Sequence, residues 1–343
     1  MTSEILKLVQ DKRPNAKLIK LSNQSALSRV TEFIPTGCPP LDIIMGGGVP
    51  VGRMTEIYGD TSTGKTLLAE HILAETQKMG GLAILLDTET AIDDRLAELI
   101  GIDLDELLYS NPETVEDVYE IIDELLTAKR KADPDGLMTI VWDSVAATSS
   151  NEEIEKIKEK GLGAATVATH ARLISKMMRV MKTRVAEERL ALVMLNQTRE
   201  KIGVMFGSKK STFGGRAIGY YSSVRLELAK RSTIKEKGDP VGISTRAYVA
   251  KSKVSPPFGQ CIVPILFDVG IDEPGAVLEY LKDEDMVKTT GGWYHIDLGG
   301  EDNAFQRPSW PELYAKHREE VLDLMYGTEE DENDNPDGTR QAD

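Results

Sequence analysis

From residue 53 onward the chain alternates short, nearly unbroken apolar runs with longer stretches whose apolar residues recur at helical spacing. Residues 82–87 (LAILLD), 138–143 (MTIVWD) and 190–196 predict strands, with a shorter one at 107–110. Residues 96–100, 115–128 and 172–187 predict helices. Runs apolar at every position, rather than at alternate ones, predict strands covered on both faces, as in a parallel sheet. After Gly215 the expected strands, 222–228, 244–251 and 261–267, are separated by short turns, as in antiparallel additions to such a sheet. Residues 273–327 read as a small α/β appendage, with helices near 275–283 and 311–325 and a GGWYHI strand between them. An amphipathic start (Ile5, Leu6, Leu8, Val9) and a polar linker around Pro14 are too small for a core of their own. The expected organisation is an arm for subunit packing at 1–34, a core at 35–270, the appendage at 271–327 and a tail at 328–343.

Composition changes this picture little. With 41% apolar and 28% charged residues the chain reads as an ordinary soluble globular protein. It has no apolar run near the ~20 residues of a membrane span and no leader-like start, so a cytoplasmic location is expected. Cys38, Cys261 and the four histidines fit no metal or disulfide spacing. The net charge of −15 speaks against a polyanion-binding surface overall, but it is unevenly distributed: residues 328–343 carry seven acids against Arg340. That segment reads as a disordered acidic tail, either a solubility device or a screen for a basic site elsewhere.

The strongest chemical signal is Gly59-Asp60-Thr61-Ser62-Thr63-Gly64-Lys65-Thr66, which matches G-x-x-x-x-G-K-[ST] between a predicted strand and a predicted helix. Such a loop turns backbone N–H groups around phosphates, Lys65 reaches the β- and γ-phosphates, and the Thr66 hydroxyl takes a place on Mg²⁺. ATP or GTP binding follows. Asp143, closing a strand, suits the acid that holds Mg²⁺; its plainer reading is a helix cap. Glu89, just past another strand end, could polarise the attacking water, or be a solvated surface acid. Gln197 could sense the γ-phosphate, or be a turn residue. Residues 198–216 form a long polar stretch with Arg199, Lys201, Lys209, Lys210 and Arg216 around the apolar group Ile202-Val204-Met205-Phe206. Cations for phosphates and apolar wedges for bases suit a strand of nucleic acid; the alternative is a mobile surface loop.

Beyond the P-loop, LLDTETAID, VWDSVAA, NQTREKIGVMFGSKKSTFGGRAIGYYSSVRLEL and VAKSKVSPPF follow the glycine loop in an order and spacing that resemble the RecA-type homologous-recombination ATPases over roughly residues 35–300. The acidic chain, divergent arm and reduced C-terminal part resemble a virus-encoded recombinase, which would work in host cytoplasm, more than a standard bacterial one. The resemblance implies an α/β RecA-like core and ATP with Mg²⁺ at the P-loop. Glu89 becomes the water-activating acid, Asp143 the Mg²⁺-side acid, and Gln197 the link between γ-phosphate and the second DNA loop. It implies DNA contacts at Arg172, Arg179, Arg199, Lys201 and Ile202, with Gly214 and Gly215 closing the loop. Lys251 and Lys253 would enter a neighbouring subunit's ATP site, held outward by the rigid Val254-Ser255-Pro256-Pro257 turn, and Tyr220 would be an intersubunit aromatic.

The implied partners are single- and double-stranded DNA, further copies of the chain in a helical filament, and single-strand-binding and loader proteins. The family's adenine-stacking tyrosine is Leu96 here, which loosens the expected base preference, and the first DNA loop around 161–169 does not match residue for residue. A mixed-charge helix, NEEIEKIKEK, precedes it and reads as a solvated face. The competing functions are a hexameric helicase or translocase on the same core and a regulatory ATPase that uses no DNA.

Overall fold

A computed structural model of the chain describes residues 2–13, 30–161, 167–200 and 210–327. The arm begins with α1 (Thr2–Lys12). β1 (Phe33–Ile34) pairs antiparallel with β2 (Val49–Pro50), bracketing α2 (Pro39–Met45), which opens on prolines and closes on Gly46 at φ +82°. There follow β3 (Arg53–Gly59), α3 (Lys65–Lys78), β4 (Leu82–Asp87), α4 (Asp94–Ile100), β5 (Leu108–Ser110), α5 (Val115–Ala132), β6 (Met138–Asp143), α6 (Asn151–Lys160), α7 (Val167–Glu187) and β7 (Leu190–Glu200). In space the parallel strands run β5, β4, β6, β7, β3, and all end their carboxyl sides on one edge.

The alternation of side chains along each strand divides the core in two. Ala83 and Leu85 of β4 face α2, α3 and α4 with Leu41, Leu68, Ile72 and Ala97. Ile84 and Leu86 face α5 and α7 with Ile122, Leu126, Ile174 and Met178. Because both faces are covered, β4 and β6 read as nearly continuous apolar runs. α5 starts where expected because Thr114 and Asp117 form a reciprocal capping box. α6 buries none of its residues, so it is the solvated face its charges suggested.

Three expectations change around and beyond the last parallel strands. β7 runs on to Glu200 and pairs antiparallel with β8 (Lys210–Thr212), so the polar stretch is a ribbon at both ends; residues 201–209 lie outside the described residues. α7 begins at Val167 rather than 172. After α8 (Arg216–Tyr221), β9 (Val224–Glu236) and β10 (Asp239–Ser252) form one long hairpin, much longer than the strands expected at 222–228 and 244–251. Lys237 and Gly238, both at positive φ (+50° and +101°), make its two-residue turn. The outer half of β9 is exposed, so no alternating apolar pattern announces it. β9 lies parallel to β3, and β10, β11 (Gln260–Leu266) and β12 (Gly270–Ile271) continue the sheet antiparallel.

The appendage comprises α9 (Glu273–Asp283), a three-stranded sheet of β13 (Lys288–Thr290), β14 (Trp293–Leu298) and β15 (Glu301–Phe305), a 3₁₀ turn at Arg307–Ser309, α10 (Trp310–Lys316) and α11 (Arg318–Tyr326). The single helix expected at 311–325 is broken at His317, and one expected strand is a sheet. Its core gathers Val277, Leu281, Phe305, Trp310 and Tyr314. α9 nevertheless faces two ways: Ala276 belongs to the main core, and Ile43 of α2 packs into the appendage's. The half-buried His71 ring ties α3 to β12 by accepting the Ile271 N–H at 3.1 Å. The tail at 328–343 lies outside the described residues. No described helix is long and apolar enough to cross a membrane.

Asp42 gives the fold a pH signature. Its carboxylate accepts the Thr36 N–H at 2.9 Å and hydroxyl at 2.7 Å. Burial pushes it from an ordinary 3.8 to about 7, against those hydrogen bonds. Between these values the folded chain holds a proton the unfolded chain has released, so stability falls as pH rises through that window. Asp42→Asn keeps an acceptor for Thr36 without titrating. Its melting temperature relative to the parent should climb from about pH 4 to pH 7 and level off above; a pH-independent difference in thermal melts would contradict this.

Candidate nucleotide site and adjoining nucleic-acid loop

β3 delivers the chain to Gly59, where a Cβ would stand 2.2 Å from the Leu228 carbonyl of β9; only glycine passes there. Ser62 and Gly64 at φ +57° and +87° complete the turn into α3 at Lys65. Thr63 braces the loop from inside, donating to the Asp60 carbonyl at 3.0 Å and accepting on its own carbonyl from the Thr245 hydroxyl at 3.2 Å. Thr61 and Ser62 stand exposed at the tip. The Lys65 ammonium curls over the loop onto the carbonyls of Asp60 (2.8 Å) and Gly59 (3.3 Å). Burial lowers its pKa, opposed by Asp143, Glu89 and Asp60.

The Thr66 hydroxyl donates to the Asp143 carboxylate at 2.7 Å. Burial raises Asp143 to about 6; the Thr66 bond opposes the shift, and Glu89 and Asp87 add to it. A hydroxyl and a carboxylate beside a helix N-terminus are hard oxygen donors of the kind that would suit Mg²⁺. Among the described residues no three carboxylate, histidine or cysteine side chains form a metal-holding group.

The loop after β4 is pinned by Asp87, whose carboxylate accepts the N–H groups of Glu89 (3.0 Å) and Ala91 (2.8 Å). That presents Glu89, exposed, near enough to Lys65 to act on its charge. Its carboxylate accepts from the Ser144 hydroxyl and, at 3.2 Å, from the Gln197 side-chain amide. Three strand ends singled out separately in the sequence therefore meet at one place. Sequence reasoning missed Ser144, although its position after Asp143 was a signal. It also missed Glu70, a buried carboxylate on α3 raised to about 7 by burial and by Asp143, Asp93 and Asp87.

Gln197 leads directly into the nucleic-acid candidates. Arg199 is exposed, its guanidinium 5.3 Å from the Phe213 ring centre. Gly214 and Gly215, at φ +78° and +73°, turn the returning chain into α8. A cavity of about 210 Å³ lies between Arg199, Phe213, Gly214, Thr148, Glu153 and His170. Arg172 and Arg179 are exposed on α7, which begins beside this cavity. Lys201 and Ile202 lie outside the described residues.

Lys253 is exposed, as expected, but Lys251 is not held outward. Its ammonium donates to the carbonyls of Gly219 (2.7 Å), Tyr220 (3.0 Å) and Ser222 (2.7 Å), closing the C-terminal end of α8. Orphan carbonyls at a helix end serve a lysine as well as an acidic side chain does, so the 254–257 turn does not decide where this ammonium points. Burial pushes Lys251 down to about 8, with Lys253 and Arg225 adding and Glu56 opposing. Tyr220, 72% exposed, projects beside it. Leu96 sits half-buried against the main core.

A glycine loop on a parallel sheet, with its lysine, hydroxyl–carboxylate pair and a carboxylate–amide pair on neighbouring strand ends, defines a P-loop nucleotide-binding protein. The family described as RecA N-terminal domain matches residues 2–272. The chain is 42% identical over 294 residues to Protein RecA of Oceanobacillus iheyensis, covering 84% of this chain and 80% of that protein. It is 41% identical over 278 residues to Protein RecA of Heliobacterium modesticaldum, covering 81% and 77%. Against Protein RecA of Symbiobacterium thermophilum it is 40% identical over 320 residues, covering 90% and 87%. The chain belongs to the RecA family.

Proposed function

We propose that the protein is a DNA-dependent ATPase that polymerises on single-stranded DNA in its ATP state, pairs that strand with a homologous duplex, exchanges strands, and hydrolyses ATP to let go. The observation that carries this reading is the hydrogen bond from the Gln197 amide to Glu89, because it joins the acid beside the P-loop to the base of the ribbon bearing Arg199. Gly59 to Lys65 cradle the phosphates, and Thr66 and Asp143 hold Mg²⁺, which when bound neutralises phosphate charge. Glu89 orients and deprotonates the attacking water, held in place by Ser144 and Gln197. Arg172, Arg179, Arg199, Lys201 and Ile202 contact DNA, working in the cytoplasm with single-strand-binding and loader proteins.

The direct test is ATP turnover with and without single-stranded DNA. Stimulation by DNA is expected, and equal rates would favour a regulatory ATPase; rings instead of filaments in electron micrographs would favour a helicase. Arg199→Ala should lower the slope of log K for single-stranded DNA against log salt by about 0.7, one phosphate contact, with ATP affinity intact. An unchanged slope would move the DNA site off this ribbon.

A further inference from the structure

Glu56 lies in the middle of β3, three residues before Gly59, with none of its surface exposed. A carboxylate there is costly unless each oxygen is satisfied, and a buried ion pair holds a fold together no better than apolar residues of the same shape. A carboxylate at such a place calls for a geometric reason. Both oxygens are occupied: Oε2 accepts from Arg225 Nε at 2.5 Å and Oε1 from Asn196 Nδ2 at 3.1 Å.

Asn196, also fully buried, spends its remaining capacity on two functional segments. Its Nδ2 also donates to the Phe213 carbonyl at 3.0 Å, immediately before Gly214 and Gly215. Its Oδ1 accepts the Gln197 N–H at 2.9 Å. On the other side the Arg225 guanidinium lies 4.6 Å from the centre of the Tyr58 ring and against Gly219 of α8, where a Cβ would come within 3.1 Å of Cζ. One carboxylate on the strand feeding the P-loop is thus wired to the residue that touches Glu89, to the exit of the nucleic-acid ribbon, and to the helix that follows it.

We propose that Glu56, acting through Asn196, is a positioning residue that registers Gln197 and the exit of the DNA ribbon against the P-loop strand, so that nucleotide and DNA bias one shared arrangement. This rests on the function proposed above. The carboxylate suits the task because its two oxygens each face a donor, Arg225 on Oε2 and Asn196 on Oε1; a glutamine keeps an acceptor at one of these positions and turns an N–H donor toward the donor at the other. Coupling of this kind is a ratio of affinities, and a loss of folded protein lowers the active fraction without changing that ratio.

The experiment uses the full chain and measures affinity for a labelled single strand with and without a non-hydrolysable ATP analogue, alongside affinity for a fluorescent ATP analogue. The parent protein should bind DNA more tightly with nucleotide, on the order of 5- to 150-fold. Asn196→Ala and the equal-volume Glu56→Gln should each reduce that ratio by about two- to thirtyfold while ATP affinity stays within about twofold. Combined, they should reduce it little further than either alone, because both cut one chain of contacts. A parental ratio in either variant would overturn the proposal. So would a fall in ATP affinity that matches the fall in the ratio, which a structural defect produces. A ratio of one in the parent protein would instead overturn the functional reading beneath it.

Discussion

Lys65→Ala is expected to weaken ATP binding by about 10- to 100-fold, the size of one lost charge-assisted hydrogen bond, whereas Glu89→Gln should bind ATP as the parent does and lose about 10²- to 10⁴-fold in turnover. The division follows from position. The Lys65 ammonium lies on the loop's own carbonyls, within the cradle, and Glu89 stands past the end of another strand, its carboxylate bonded to Ser144 and Gln197. Glutamine keeps an acceptor for one of those donors but cannot take a proton from water. Nucleotide titrations and single-turnover rates separate the two effects. Equal loss of ATP binding in both variants would remove Glu89 from the chemistry.

The second large effect concerns assembly. Lys251→Ala/Lys253→Ala and Lys65→Ala are each expected to be inactive alone and to recover measurable hydrolysis when mixed on single-stranded DNA, since an intact P-loop on one subunit then meets intact lysines on its neighbour. Lys253 is exposed and free to act this way in the isolated chain. Lys251 would first have to exchange three backbone carbonyls at the C-terminal end of α8 for a neighbour's phosphate, a more strongly charged acceptor. Tyr220, whose carbonyl is one of those three, would sit at the same junction. Full activity of the double lysine variant at concentrations where filaments form would sink a role in trans.

The sequence by itself determined the parallel core, the P-loop and the strand ends that carry Glu89, Asp143 and Gln197. These are encoded locally: periodicity decides strand or helix, glycines at fixed offsets decide the turn, and open α/β sheets gather ligand-binding residues outside the carboxyl ends of their strands. Tertiary structure alone decided which polar groups meet. Glu56 and Asn196 are 140 residues apart in the chain, and Glu56 and Arg225 are 169 apart. Their pairing depends on the registers of β3 with β7 and of β3 with β9, which no local pattern states. The same holds for Lys251 on the end of α8, for the burial that raises Asp42, and for the length of the β9–β10 hairpin, whose outer half is exposed and carries no apolar alternation. A residue's type limits what it can bond to, but the folded register chooses its partner.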